Sequence, residues 1–332
     1  MKTLTNTIIL MMNLQLFSAD VDPINVTTQL SMSPTMKTFY DTTLLENARE
    51  AMIFTQFGKR QPMKGNKVEW RKFNTFAKAL TPLTEGVIPT GQTFGMTKIE
   101  AEITQHGDFT AVSDRLEMES YDDVIFGATE EMGAAEGETY DTLTRNVLIA
   151  GNCVMYAPNG DAVIESRDAL TNDCKITPAL VNKAATWLKK TKTPRIDGCY
   201  VAIIHPSVAH DLRESDEWKE FHKHNAVEPI FKGEIGMLHG VRFVECNEAK
   251  VWKTGENATY ATLFLGKDAF GILDPEGEGM EMIVKGKEQI GGPLNQFSTI
   301  GYKFCHGAKI LYQERLLRVE SGSSFGSDDE EN

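Results

Sequence analysis

Lys67-Val68-Glu69-Trp70-Arg71-Lys72-Phe73-Asn74-Thr75-Phe76, followed further on by Lys98-Ile99-Glu100-Ala101-Glu102-Ile103, is the stretch on which the fold turns. The first segment has strand composition. The second alternates strictly, with Ile99, Ala101 and Ile103 on one face and Lys98, Glu100 and Glu102 on the other. Between them, residues 79–95 hold Pro82, Gly86, Pro89, Gly91 and Gly95, which is loop chemistry. The strand signal resumes from Phe109 to Val112. Residues 66–112 therefore predict a long hairpin. At about 3.3 Å per residue, roughly ten paired residues and a long tip reach several tens of Å. A lone two-stranded hairpin is marginal in water, so this one needs a partner, either the rest of its chain or a neighbouring chain.

Upstream, residues 1–36 are rich in Thr, Ser and Asn without a clear period and read as an extended arm. Thr38 to Phe57 predicts a helix, with Leu44, Leu45, Ala48, Met52 and Ile53 on one stripe and Gly58 as its stop. Downstream, Ser120 to Ala150 is the longest helical stretch, about 45 Å at 1.5 Å per residue. Tyr121, Val124, Ile125, Ala128, Met132 and Ala135 mark its stripe, and Gly133 and Gly137 are candidate kinks. Residues 152–175 read as an irregular connection. Thr177-Pro178 opens a helix whose inner face is Val181, Ala184, Ala185 and Leu188. Cys199 to Ile204 predicts a central strand ending at His205-Pro206, then a short helix from Ser207 to Arg213. Strands are expected at 241–245, 260–265 and 280–284, which makes residues 176–285 an α+β block. Ser298 to Phe304 and Ala308 to Val319 read as long strands. Residues 321–332 (SGSSFGSDDEEN) read as a disordered acidic tail.

The 332 residues carry 34 basic and 47 acidic side chains, a net charge of -13. That balance excludes a general nucleic-acid-binding surface, although an acidic shell surrounding DNA remains compatible with it. No apolar run reaches the ~18 residues of a membrane span. Five scattered cysteines, with no C-x-x-C pair, point to reduced thiols. Ile8 to Phe17 has the outline of a weak signal peptide, but one basic residue and the interruptions Asn13 and Gln15 argue against it.

Chemistry-bearing patterns are few. His222-x-His224 beside Glu220 falls on a helical stretch, where i and i+2 do not share a face, so no metal is expected. Gly322-x-Ser324-x-Gly326 spells a hydrolase elbow without the strand and helix that the elbow needs. Cys305-His306 are strand neighbours on opposite faces, read as a buried Cys beside a surface His. His205 at a strand end reads as a structural turn. No cofactor motif is present, and no enzyme activity is expected.

Charge patterning says more. Residues 37–80 hold nine basic and four acidic side chains, and residues 116–144 hold nine acidic and no basic ones. Blocks of opposite sign either steer association between chains or are solvated faces of one domain. The exposed hairpin favours contact between chains.

Several blocks in fixed order resemble the tailed-phage major capsid protein family. They are Met36-Lys37-Thr38-Phe39-Tyr40-Asp41 with Leu44-Leu45-Glu46-Asn47-Ala48-Arg49, Val68-Glu69-Trp70-Arg71-Lys72-Phe73, Leu80-Thr81-Pro82-Leu83-Thr84-Glu85-Gly86, Asp141-Thr142-Leu143-Thr144-Arg145-Asn146 and Ala202-Ile203-Ile204-His205-Pro206. The resemblance runs from about residue 12 to 320. It implies an α+β Hong Kong 97-like capsid fold with an N-terminal arm, an extended β-hairpin loop, a long spine helix, a peripheral domain and an axial domain. The expected layout is arm and first helix 1–57, extended loop 58–115, spine helix and peripheral domain 116–175, axial domain 176–290, return strands 291–320 and tail 321–332. Met12 to Phe17 is similar to the family's usual opening, which marks residues 1–11 as an upstream extension.

The resemblance implies a virion shell protein, assembled in the host cytoplasm into pentamers and hexamers of an icosahedral head. Its partners would be itself, a portal, scaffold or decoration proteins, and packaged double-stranded DNA bound without sequence specificity, with no membrane. An encapsulin-like compartment shell and a secreted hydrolase are the alternatives. From the charge segregation, Lys59, Arg60, Arg71, Lys72 and Lys78 are expected to meet Glu130, Glu131, Glu136 and Glu138 of an adjacent chain.

Overall fold

The apolar run Tyr200–Ile204 forms a strand buried along its whole length. A strand covered on both faces has no polar side, which is why the run is continuous rather than alternating. In the computed structural model it is central to a seven-stranded mixed sheet. The structure describes residues 24–26, 52–74, 76–83, 85–88, 91–119, 124–160, 162–224, 234–254, 257–275, 279–290, 294–325 and 329–332.

Within that sheet Tyr200–Ile204 runs parallel to Val241–Glu245 and antiparallel to Asn257–Leu265. Glu234–Leu238 closes one edge. On the other side Leu316–Ser321 pairs with Asn257–Leu265 and then, in parallel, with Val154–Tyr156. One face packs Tyr200, Ala202, Ile204 and Phe264 against the helices Pro178–Lys190 and Pro206–Glu214. The predicted inner residues Val181, Ala184, Ala185 and Leu188 are all fully buried there, and Thr177 caps the helix by accepting from the Leu180 N–H at 3.3 Å. The other face packs Val201, Ile203, Leu263 and Leu265 against Phe54, Phe57, Leu148, Phe270 and Ile272.

A second sheet pairs Thr104–Ser113 with Phe297–His306 over ten antiparallel positions, flanked by Glu281–Lys285 and by a short parallel strand, Ile24–Val26. The long helix, Val124–Ile149, lies on one face of this sheet. Its Val124, Ile125, Ala128 and Met132 meet Val112, Met282 and Ile300. Its 26 residues run unbroken through Gly133 and Gly137, about 39 Å of rod. A third sheet joins Phe270–Pro275 to Ala308–Ile310 and, in parallel, to Lys59–Met63.

Several sequence expectations need correcting. The hairpin predicted over residues 66–112 is shorter than expected. The hairpin consists of Lys67–Phe73 and Met96–Glu102 alone, because the segments on either side of it pair into body sheets. The strand at 281–285 belongs to the helix-backed sheet rather than the α+β block, and residues 297–321 divide among three sheets. Residues 54–57 form a 3-10 turn instead of a helix end, while residues 38–51 of that predicted helix lie outside the described residues, as do residues 120–123 of the predicted long helix.

The tail is the largest change. Ser321, Gly322 and Ser323 are buried, and Gly322 passes so close to the Thr171 carbonyl that no Cβ would fit. Asp329 and Asn332 are hydrogen-bonded to the seven-stranded sheet. Asp329 finds hydroxyl donors and Glu331 a lysine, so composition alone did not keep these residues free.

Candidate functional site: the projecting hairpin and the long helix

The paired strands of the hairpin are joined to the body along most of their length. Trp70, Val68 and Ile103 pack on Met63, Ala101 and Leu273, and Lys72 forms an ion pair with Glu314 at 3.3 Å while its ammonium lies 4.4 Å from the centre of the Tyr312 ring. Along the same stretch the two strands also hold each other, from Lys67 opposite Glu102 at the base outward. Glu69 accepts from Arg71 at 3.0 Å and pairs with Lys98 at 2.8 Å, and Lys67 pairs with Glu102.

The tip carries large apolar residues in the open. Leu80 is 84% exposed and Ile88 93%, and Phe73, Phe76, Leu83, Val87, Phe94 and Met96 are also exposed. The tip is nevertheless organised. Phe94 sits 4.9 Å from Phe73 and 5.8 Å from Phe76 between ring centres, Asn74 N–H donates to Gly95 O at 2.9 Å, and Gln92 Nε2 donates to Ala77 O at 2.8 Å. An exposed apolar patch of this density marks an interaction surface. Sequence reading took residues 79–95 as loop chemistry from their prolines and glycines. The number of large apolar residues among them was the signal it passed over.

The predicted contact residues fall into different environments. Lys59 and Arg60 are exposed on the strand beside Phe270–Pro275, Arg71 is exposed on the hairpin, and Lys78 is exposed in the tip. Lys72 is engaged by its own chain. Glu130, Glu131 and Glu138 are exposed on the long helix. Glu136 is corrected: it is fully buried within the protomer, so it presents no charge to a neighbour. Burial pushes its carboxyl up to about 7.

One turn further along, Asp141 is buried and takes three backbone donors, Ile53 at 2.9 Å, Phe54 at 3.1 Å and Thr55 at 3.1 Å. Burial pushes it up to about 6 against those bonds. It thereby fastens the residues leading into the basic strand Lys59–Met63 onto the long helix. An Asp141→Ala variant is expected to lose about 3 kcal/mol of unfolding free energy, since three donors are left without an acceptor. Urea denaturation measures this, and a loss under ~1 kcal/mol would mean that other groups serve those donors.

The remaining sequence motifs are structural. His205 accepts from the Ser207 N–H at 3.2 Å and caps Pro206–Glu214. Ser324 bonds to Asp211, with no elbow around it. His306 is not a surface residue. It is buried, 3.0 Å from Thr144 Oγ1 and edge-on to Tyr140, and burial with His106 nearby lowers it to about 4. The side chains of His222 and His224 lie outside the described residues. Among the described residues no His, Cys, Asp and Glu side chains gather as a metal set, and no helix is long and apolar enough to cross a membrane.

The sequence profile of one family, described as "Phage capsid protein", matches residues 84–274. No curated protein sequence matches the chain. Among solved structures, the cyanophage Pam1 capsid asymmetric unit is similar with a TM-score of 0.65 at 12% identity, covering 93% of this chain and 98% of that one. The capsid of cyanophage P-SCSP1u gives 0.61 at 16% identity, covering 82% and 89%. That of Ralstonia phage GP4 gives 0.61 at 16% identity, covering 83% and 89%.

Proposed function

The chain belongs to the phage capsid protein family, as a major capsid protein with the Hong Kong 97-like fold that self-associates into the head shell of a virion, and from that premise we propose that copies join through the hairpin tip and the acidic face of the long helix. The observation that carries this is the organised apolar tip, which is exposed in a single protomer. Burying a Phe is worth about 1.5–3 kcal/mol, so a few such residues covered by a neighbour supply a strong bond. The exposed charges Arg71, Lys78, Lys59 and Arg60 then face Glu130, Glu131 and Glu138 across the contact and set its register.

In this reading the seven-stranded block is the axial domain, meeting its copies around pentamers and hexamers. The helix-backed sheet, including Glu281–Lys285, is the peripheral domain, and residues 67–102 are the extended loop. The protein works by association and does no catalysis. The head takes a portal and scaffold or decoration proteins as partners, and it encloses double-stranded DNA without reading its sequence. The family match does not favour the compartment-shell alternative.

The test is a Phe76→Ser, Phe94→Ser double variant, with particles counted by electron microscopy and subunits followed by sedimentation velocity. Both rings are exposed in the protomer, so the melting curve should stay unchanged. Particle yield should fall about tenfold or more. Parental yield from the double variant would count against the hairpin as a contact. A second variant, Arg71→Glu with Lys78→Glu, should lower yield at low salt and recover it as salt screens both signs.

A further inference from the structure

The C-terminal residues, which composition marks as solvated, end on a polar site at one end of the seven-stranded sheet. Asp329 Oδ2 accepts from Tyr260 Oη at 2.6 Å and from Ser207 Oγ at 2.7 Å. Tyr260 is fully buried and Ser207 nearly so, so both hydroxyls are held in place by the core and aimed at the carboxylate. Ser207 lies in the first turn of Pro206–Glu214, where backbone dipoles favour a negative charge. His205 Nδ1 accepts from the Ser207 N–H and faces the carboxylate at 3.8 Å, and burial lowers the pKa of the ring. Against the upward push of burial, the hydroxyls of Tyr260 and Ser207 hold the Asp329 carboxyl below the ordinary range.

Contacts on both sides continue the track. Upstream, Ser323 Oγ donates to Ser207 O at 2.8 Å, and the Ser324 N–H donates to Asp211 Oδ2 at 2.9 Å. Downstream, Asn332 Oδ1 accepts from the Val251 N–H at 3.0 Å, Asn332 Nδ2 donates to Ala249 O at 3.1 Å, and Lys250 Nζ reaches both Asn332 O and, at 3.6 Å, Glu331. The track thus ties a helix to two strands that are remote from it in sequence.

We propose that Ser207 and Tyr260, with Lys250 beside them, form a docking site for an acidic peptide segment, and that the chain's own C-terminal residues 329–332 fill it as a strap across the sheet. This goes beyond shell formation and does not depend on the hairpin contact. The partner chemistry is specific: a carboxylate between two hydroxyls, followed three residues later by an amide that matches the backbone of Ala249 and Val251.

The test uses the full chain in its unassembled form. Tyr260→Phe keeps the ring and removes the donor, and Asp329→Ala empties the site. Carboxypeptidase release of Asn332, followed by mass spectrometry, should be about tenfold faster in either variant than in the parent. A fluorescent peptide of residues 321–332 should bind Asp329→Ala at least about tenfold more tightly than it binds the parent, whose site is filled, and the same peptide carrying Asp329→Ala should not bind. Equal release rates in parent and variants, or equal peptide binding, would overturn the proposal. Protection of Asn332 that rises with protein concentration would also overturn it, because the strap would then come from a second copy.

Discussion

A Glu136→Gln variant is expected to match the parent in stability near pH 5 and to exceed it by about 3 kcal/mol at pH 8. Both carboxyl oxygens of Glu136 are buried on the long helix without a hydrogen-bond partner among the described residues. Burial disfavours the charged form and pushes the carboxyl from 4.5 to about 7. The native state therefore holds a proton that the unfolded chain has already released between those two values. Stability falls as pH rises through that window, and the loss is complete above about 7. Glutamine fills nearly the same volume and does not titrate, so it removes this dependence alone. Asp141 and His306 titrate equally in both proteins, so the difference between parent and variant isolates position 136. Urea unfolding of the unassembled protein at the two pH values decides the matter, and parallel pH profiles for parent and variant would refute it.

Replacing Glu320 by Ala should act in the opposite direction and destabilise the protein by about 3–5 kcal/mol. Glu320 is fully buried on Leu316–Ser321 and receives Arg167 through two hydrogen bonds of 2.7 and 2.8 Å, with Arg318 at 2.7 Å from the same carboxylate. The Arg167 guanidinium also lies 3.5 Å over the Trp252 ring. Removing the one anion leaves two cations beside it uncompensated, which costs far more than the net worth of an intact pair. Because Arg167 sits in the connection after Val154–Tyr156, this pairing also ties that connection to the sheet. Glu320→Gln should lose less, since one acceptor oxygen remains. Thermal and urea unfolding of both variants would show the order, and an alanine loss below ~1 kcal/mol would mean that the arginines find water instead.

Much of the local structure was legible in the chain. The Val181, Ala184, Ala185, Leu188 stripe and the Thr177-Pro178 start specified one helix completely, because period and capping act within a few residues. The alternation at Lys98–Ile103 gave one strand of the hairpin and its faces, and the ordered blocks around it gave the family. The hairpin's apolar tip was partly legible. Its residues were visible, but punctuation by proline and glycine drew the reading toward an ordinary loop.

Beyond its first turns, where the predicted Val124, Ile125, Ala128 and Met132 meet the sheet, the buried stripe of the long helix was not legible. It runs through Thr129, Gly133, Glu136, Asp141, Thr144 and Arg145 before Leu148, and a stripe of that composition carries no hydrophobic signal. A count of charge along the chain treats Glu136 and Glu138 alike, yet rotation about the helix axis puts one in the interior and the other in water.

The sequence by itself therefore determined the elements, the projecting hairpin and the family, since each rests on short-range periodicity, turn chemistry or ordered blocks of residues. The tertiary structure alone decided which strands share a sheet, which acids are interior and where the tail ends. Those outcomes depend on pairings between residues far apart in the chain: Glu281–Lys285 found its partner at 299–303, and Asp329 found Tyr260. A donor and an acceptor separated by that much chain leave no local pattern, and only the closed fold brings them within bonding distance.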